Sequence, residues 1–304
     1  MAFSCSKSGE DTVPPRDFDE QYIADKASLQ TFFDEYHMDV DANYNVAISK
    51  PTTGQQSIRQ QYTLNDTTVK YNDKDYHLYF IKFNKGDDEH GRRPTQVDSV
   101  YVSYKAMGLN GVQFDGADNP VWFRIPDLIS GWAHILPSFY TGTYSSASPA
   151  DPPVHSNYGA GVMFLPSGFA YFSSAVGDLG AYSPMIFSFK LLELRYRDQD
   201  GDGILSKDES TMSDVVPGSF PPFRWINNPY NYDSDGDGIP NMYDVDDDND
   251  RYSTKHERRN YPDRVNHPND FTVYPFESIP DCSGNTTDLN RKKRHLDATC
   301  HGSN

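Results

Sequence analysis

From Asp17 onward, Phe18, Tyr22, Leu29, Phe32, Phe33 and Tyr36 recur at helical spacing and give an otherwise polar segment one apolar stripe. Asp17, with Glu20 three residues on, supplies a helix start. Beyond Asp39 the period shortens to β-like pieces at 62–64, 68–71 and the strongly alternating 76–83, separated by Asn, Asp, Gly and Lys. One long helix plus strands is therefore expected over residues 16–89. A charged turn at 84–94 leads into residues 100–104, where alternation and β-branched residues predict a half-buried strand. Pro126 opens and Pro137 closes a short helical segment whose Leu128, Ile129, Trp132, Ile135 and Leu136 form a broad apolar face. Proline fits a first turn, where its missing N–H is not needed, and stops a helix further on. The stretch 140–158 is rich in Ser, Pro and Gly and predicts an exposed insertion. Strands return at 161–165 and 185–194, where Phe187, Phe189, Leu192 and Leu194 suit a central position. Strands wrapped around one short helix make 90–196 an α+β domain.

The 304 residues allow two or three modules. Hydrophobic residues are 36% and aromatic ones 14%, so burial leans on Tyr and Phe, which suits a sheet-rich core. A net charge of −17 repels nucleic-acid phosphates and anionic headgroups and makes cations the expected partners. No run approaches the roughly 20 apolar residues of a spanning helix. The start, Met1-Ala2-Phe3-Ser4-Cys5, resembles the end of a bacterial lipoprotein signal, in which small residues precede a cysteine that becomes acylated. Residues 6–15 are polar and end in two prolines, so 1–15 reads as a tether holding the folded part off an envelope membrane through lipidated Cys5; the bland alternative is an idle thiol. Cys282 and Cys300 either pair, adding roughly 3 kcal/mol in an oxidising compartment, or remain two surface thiols.

Four blocks in order carry a family resemblance. They are Asp98 to Tyr104 followed by Asn110-Gly111-Val112-Gln113-Phe114-Asp115; Leu128-Ile129-Ser130-Gly131-Trp132; Phe169-Ala170-Tyr171; and Ile186 to Leu194. Together they resemble an FKBP-type peptidyl-prolyl cis-trans isomerase domain over about a third of the chain. The resemblance implies an antiparallel sheet wrapped around a short helix, with Trp132 flooring a slot for the proline ring. Tyr104, Phe114 and Phe187 are its expected walls, Leu128 and Ile129 its rim, and Leu179 lies near the far loop. The Ile129 N–H and the Tyr171 hydroxyl are expected to bind substrate carbonyls, and Asp115 to be the carboxylate in the slot, held by Tyr104. Phe172 stands where the family usually has glycine, and the wall residue among Val121, Trp122 and Phe123 is not fixed by spacing. Such chemistry needs no cofactor, because an apolar cleft penalises the planar amide more than the twisted one. Expected partners are proline-containing polypeptides, bound by a monomer. A binding module of the same fold, acting as chaperone or adhesin, is the alternative.

The tail 197–304 carries different chemistry. Asp198, Asp200, Asp202, Gly203, Ile204, Ser206 and Glu209 match the twelve-position calcium loop, in which oxygens at alternate residues converge on one hard cation and glycine permits the sharp turn. A second set is Asp233, Asp235, Asp237, Gly238, Asn241 and Asp244. A third, Asp246, Asp248, Asp250 and Glu257, has Arg251 where glycine is expected. Without paired flanking helices these resemble thrombospondin type-3-like loops, which implies structural calcium; a solvated acidic linker is the alternative. His134, His155, His256, His267, His295 and His301 lack zinc-ligand spacing and are expected at the surface. Gly159 and Gly161 lack the rest of a dinucleotide loop. Arg291-Lys292-Lys293-Arg294 reads as a surface patch or an internal partner for carboxylates.

Overall fold

The computed structural model describes residues 14–71, 74–146, 148, 151–209, 232–260 and 272–300. Residues 1–13, with Cys5 and most of its tether, and His267 and His301 lie outside them. Helix α1 (Phe18–Glu35) starts where Asp17 accepts from the N–H groups of Asp19 and Glu20. The hairpin β1 (His37–Val40) and β2 (Val46–Ser49), the short helix α2 (Ile58–Gln61), and the pair β3 (Asn65–Tyr71) and β4 (Lys74–Asn84) follow. Residues 62–64 are not the expected strand: the Tyr62 N–H caps α2 on the Ile58 carbonyl, and extended pairing begins only at Asn65.

Next come β5 (Ser99–Gly108) and β6 (Gln113–Arg124), then α3 (Ser130–Ile135). The segment 126–137 is not one helix. Leu128 and Ile129 are extended between a 3-10 turn at Ile125–Asp127 and α3, and Pro137 sits inside a second 3-10 turn, Leu136–Ser138. The insertion forms a small hairpin of β7 (Thr143–Ser145) and β8 (Val154–Ser156). Strands β9 (Gly159–Leu165) and β10 (Met185–Arg195) complete the sheet, and the described part of the tail includes the single-turn helices α4 (Ser206–Glu209) and α5 (Thr254–Glu257).

One six-stranded antiparallel sheet runs β3-β4-β9-β10-β5-β6. Residues before position 90 therefore supply two of its strands. Strand side chains alternate between faces, and here both faces are covered. Phe80, Met163, Phe187 and Phe189 pack toward α3 and Trp132, whereas their neighbours Ile81, Val162, Phe164 and Ile186 pack against Leu29, Phe32 and Phe33 of α1. That is why β9 is buried along its whole length. Among the described residues no helix is long and apolar enough to cross a membrane.

Candidate functional site

A cleft of about 250 Å³ opens on the α3 face of the sheet. Its lining is Tyr104, Asp115, Phe123, Asp127, Leu128, Ile129, Trp132, Tyr171 and Phe187. Trp132 reaches the floor because the chain turns from extended to helical at Ile129, three residues earlier, and its indole is 3% exposed. Its ring centroid lies 5.5 Å from Phe187 and 6.0 Å from Tyr104, both edge to face, the arrangement ring quadrupoles favour. Ile129 is the N-cap of α3, so its N–H has no acceptor within the helix. The Tyr104 hydroxyl donates to Asp115 Oδ2 at 2.8 Å, and Asp115 Oδ1 accepts from the Gly116 N–H. Burial, with Asp115 beside it, raises the Tyr104 pKa, so the phenol stays a proton donor.

Seven of the nine residues predicted for this slot meet in it. Phe114 and Leu179 do not line it. Both are half-buried against the same core, and Leu179 pairs with Val176 through two backbone hydrogen bonds. Phe123 is the wall residue that spacing left open, with its ring 5.7 Å from Tyr104, and Asp127 was missed. Two shifts in the β5–β6 register, between Val102 and Tyr104 and between Ala106 and Met107, explain why counting residues could not find Phe123.

Tyr171, 41% exposed, follows a 3-10 turn at Ser167–Phe169 that α1 holds in place. Buried Asp25 accepts from the Ser167 N–H at 2.7 Å and from its hydroxyl at 2.6 Å, and Gln21 donates to the Tyr182 carbonyl. The Phe18 ring lies so close to Gly168 that any Cβ there would overlap it. Phe172 has φ +46°, the left-handed region, which explains why glycine suits that position; its ring packs at 5.6 Å from Phe18 and 5.2 Å from Tyr182. Strands β7 and β8 contribute no residue to the cleft lining, and His155 of β8 is hydrogen-bonded to Glu193 at 2.7 Å.

The tail repeats one geometry three times. The first Asp of each loop accepts from N–H groups four or five residues on: Asp198 from Gly203, Asp233 from Gly238, and Asp246 from Asp250 and Arg251. The next two carboxylates each accept from the N–H two residues later, as Asp200 does from Asp202 and Asp202 from Ile204. Asp235 and Asp237, and Asp248 and Asp250, do the same. In each loop three carboxylate oxygens come within 4.8 Å of one another: Asp198, Asp200 and Asp202; Asp233, Asp235 and Asp237; Asp246, Asp248 and Asp250. The ninth position also contacts the backbone. Ser206, Asn241 and Thr254 accept from the N–H of the loop's second residue, Gln199, Ser234 and Asp247, and so brace the loop. At the closing position Glu209 and Glu257 are 4% and 1% exposed, and among the described residues no group hydrogen-bonds either carboxylate. Asp244 is also buried, and burial raises its pKa. Buried carboxylates are normally satisfied, and oxygen donors converging without partners fit a hard cation such as calcium.

The sixth position of the third loop is Arg251 at φ +80°, matching Gly203 at +96° and Gly238 at +98°. A side chain in that region costs about 1–2 kcal/mol, so Arg251→Gly is expected to stabilise the tail by about 1 kcal/mol in thermal unfolding. Burial, reinforced by neighbouring carboxylates, pushes Glu209 up to about 10, Glu257 to about 9, Asp248 to about 7 and Asp202 to about 6. Raised acids stabilise the fold below their unfolded pKa near 4, and that stability is lost as pH rises through the folded values. In a chelator the tail is therefore expected to melt at lower temperature at pH 8 than at pH 5, and a flat or opposite trend in a pH series of thermal melts would contradict it. Calcium should reverse the trend, since a bound cation favours the charged forms.

The tail's frame uses the basic cluster. Arg294 donates to the carbonyls of Glu257 and Arg259, Arg291 to those of Ile279 and Asp288, and Lys293 lies 4.0 Å from the Phe276 ring centroid. These partners are mainly backbone carbonyls and a ring rather than the clustered carboxylates. Cys282 and Cys300 form a disulfide. His295 is buried at 1% exposure, unlike the expected surface residue, because it packs beside Leu296 under the acidic loops, and burial lowers its pKa to about 3.

A family model described as BamM C-terminal matches residues 199–289. No curated protein matches. Among solved structures, a peptidyl-prolyl cis-trans isomerase from Pseudomonas syringae pv. tomato is 17% identical with a TM-score of 0.35, covering 60% of this chain and 98% of that one. FkpA from Escherichia coli is 24% identical with a TM-score of 0.32, covering 42% of this chain; the chain spans about half of FkpA's length, 51%. The acidic tail is similar to the BamM C-terminal family.

Proposed function

We propose that the chain is a prolyl isomerase of exported or surface polypeptides, held at a bacterial envelope membrane, with calcium bracing its tail. The observation that carries the reading is the convergence of Tyr104, Asp115, Leu128, Ile129, Trp132, Tyr171 and Phe187 on one cleft. Rotation about an X-Pro bond faces a barrier of roughly 18–20 kcal/mol from amide resonance, and the twisted amide carries less dipole. A ring-lined cleft excludes water from the planar form while losing less with the twisted one. Trp132 and Phe187 take the pyrrolidine ring, and the Ile129 N–H and Tyr171 hydroxyl donate to carbonyls flanking the proline. Asp115, fixed by Tyr104, sets the field at the rotating amide. Asp198, Asp200, Asp202 and Glu209, with their counterparts in the other two loops, hold calcium as a strut.

The envelope placement draws on the Cys5 start, the disulfide, which belongs to an oxidising compartment, and the tail's likeness to a family related to outer-membrane assembly. A second reading, binding without turnover, is favoured by Phe172, whose left-handed backbone stiffens the strap carrying Tyr171. Exchange NMR on proline peptides separates the two: the isomerase accelerates cis-trans exchange, and saturable binding with exchange at the solvent rate would leave only a binding module.

A further inference from the structure

We infer that Asp247 is a metal ligand of the first acidic loop, so that a divalent cation clamps residues 198–209 to the run 244–250. The inference rests on the calcium reading above and extends it to a carboxylate outside the three loop patterns. Residues 246–249 form a tight turn, closed by the Asn249 N–H on the Asp246 carbonyl, so neighbouring side chains leave it in different directions. Asp246 and Asp248 turn toward Asp250, and Asp247 between them turns the other way, to within 4.8 Å of Asp202 and Glu209. Its carboxylate is fully buried, and among the described residues neither oxygen has a partner in hydrogen-bond geometry, although the Thr254 hydroxyl lies near enough to favour the charged form; His295 Nε2 lies 4.0 Å from Oδ2, too far to donate. Both Glu209 oxygens and Asp202 Oδ2 share that condition.

Three buried carboxylates that together bring five unpartnered oxygens to one place are a costly arrangement unless a cation lies among them. Arg258 lies near enough to Asp202 to offset part of this charge, but its guanidinium is spent on backbone: one nitrogen donates to the carbonyl of Asp202 and another to that of Tyr274. Oxygen-only donors select a hard dication such as calcium. The corresponding second positions of the other loops are Gln199 and Ser234, so an acid at this place is peculiar to the third loop. The clamp matters for architecture because the first loop directly follows β10, a strand of the cleft-bearing sheet.

The test titrates calcium into the full chain and into Asp247→Asn by calorimetry, with thermal melts of both in chelator and in calcium. Asp247→Asn is expected to lose one site or weaken it tenfold or more while leaving the remaining sites unchanged. In chelator it should melt no lower than wild type, since a facing carboxylate is gone, and its calcium-induced rise should be smaller. Equal calcium binding by variant and wild type would overturn the inference and leave the calcium reading standing. Loss of stability of equal size with and without calcium, or failure to fold, would make Asp247 a structural residue and overturn it as well. A wild-type chain that binds no calcium would remove both.

Discussion

Chelating calcium is expected to remove about 4–8 kcal/mol of stability from the tail. Extracellular calcium loops bind at roughly 10⁻⁴–10⁻³ M. At about 10 mM calcium, each such site stabilises the folded form by about 1.4–2.7 kcal/mol, and three loops give the range above. The structure explains why little else can substitute. Among the described residues the buried apolar side chains of the tail are few, Ile204, Tyr232, Met242, Ile279 and Leu296, and the disulfide closes only residues 282–300. Against this stand Glu209 and Glu257, buried with unpartnered oxygens. Melting followed across calcium concentrations, with proteolysis of the tail as a second readout, checks the expectation. A melting temperature unmoved by calcium at about 10 mM would reduce the loops to an acidic surface.

The second large effect concerns the cleft. Asp115→Ala is expected to lower kcat/KM for proline isomerisation by about 10–100-fold, because it removes the acceptor of the Tyr104 hydroxyl and a charge-assisted hydrogen bond, worth about 1.5–3 kcal/mol. Tyr171→Phe, which deletes one neutral donor worth about 1 kcal/mol, should cost about fivefold. Asp115 is exposed, so the melting temperature should barely move. Activity intact in both variants would detach the chemistry from these side chains, and a parallel fall in stability would mean that packing rather than the site was changed.

What could be read from the chain alone follows from where structure is set locally. The α1 stripe and its Asp17 cap are short-range signals, and helix and cap both form where expected. Four ordered blocks sufficed to assemble most of the cleft, because Tyr104, Trp132 and Phe187 sit on elements with clear periodicity. Phe123 escaped because register shifts between β5 and β6 are set by pairing, which a single strand does not reveal. The broken helix at 126–137 escaped for a related reason: tertiary packing of Leu128 and Ile129 into the cleft overrides an otherwise helical pattern. In the tail, fixed spacing encoded the local loop geometry, but it did not reveal that Ser206, Asn241 and Thr254 also accept backbone N–H groups and brace their loops, since an oxygen-bearing side chain at that position suits either role. Asp247 was invisible because its neighbours in space come from another loop.

The interleaving of β4 with β9 has a practical consequence for anyone dissecting this molecule. A fragment begun at residue 90 would strip β9 of its hydrogen-bonding neighbour and uncover Phe164 and Ile186, leaving a long apolar border open to any passing chain. Such a piece invites clumping, so the smallest dependable unit for crystallisation or display starts ahead of Phe18.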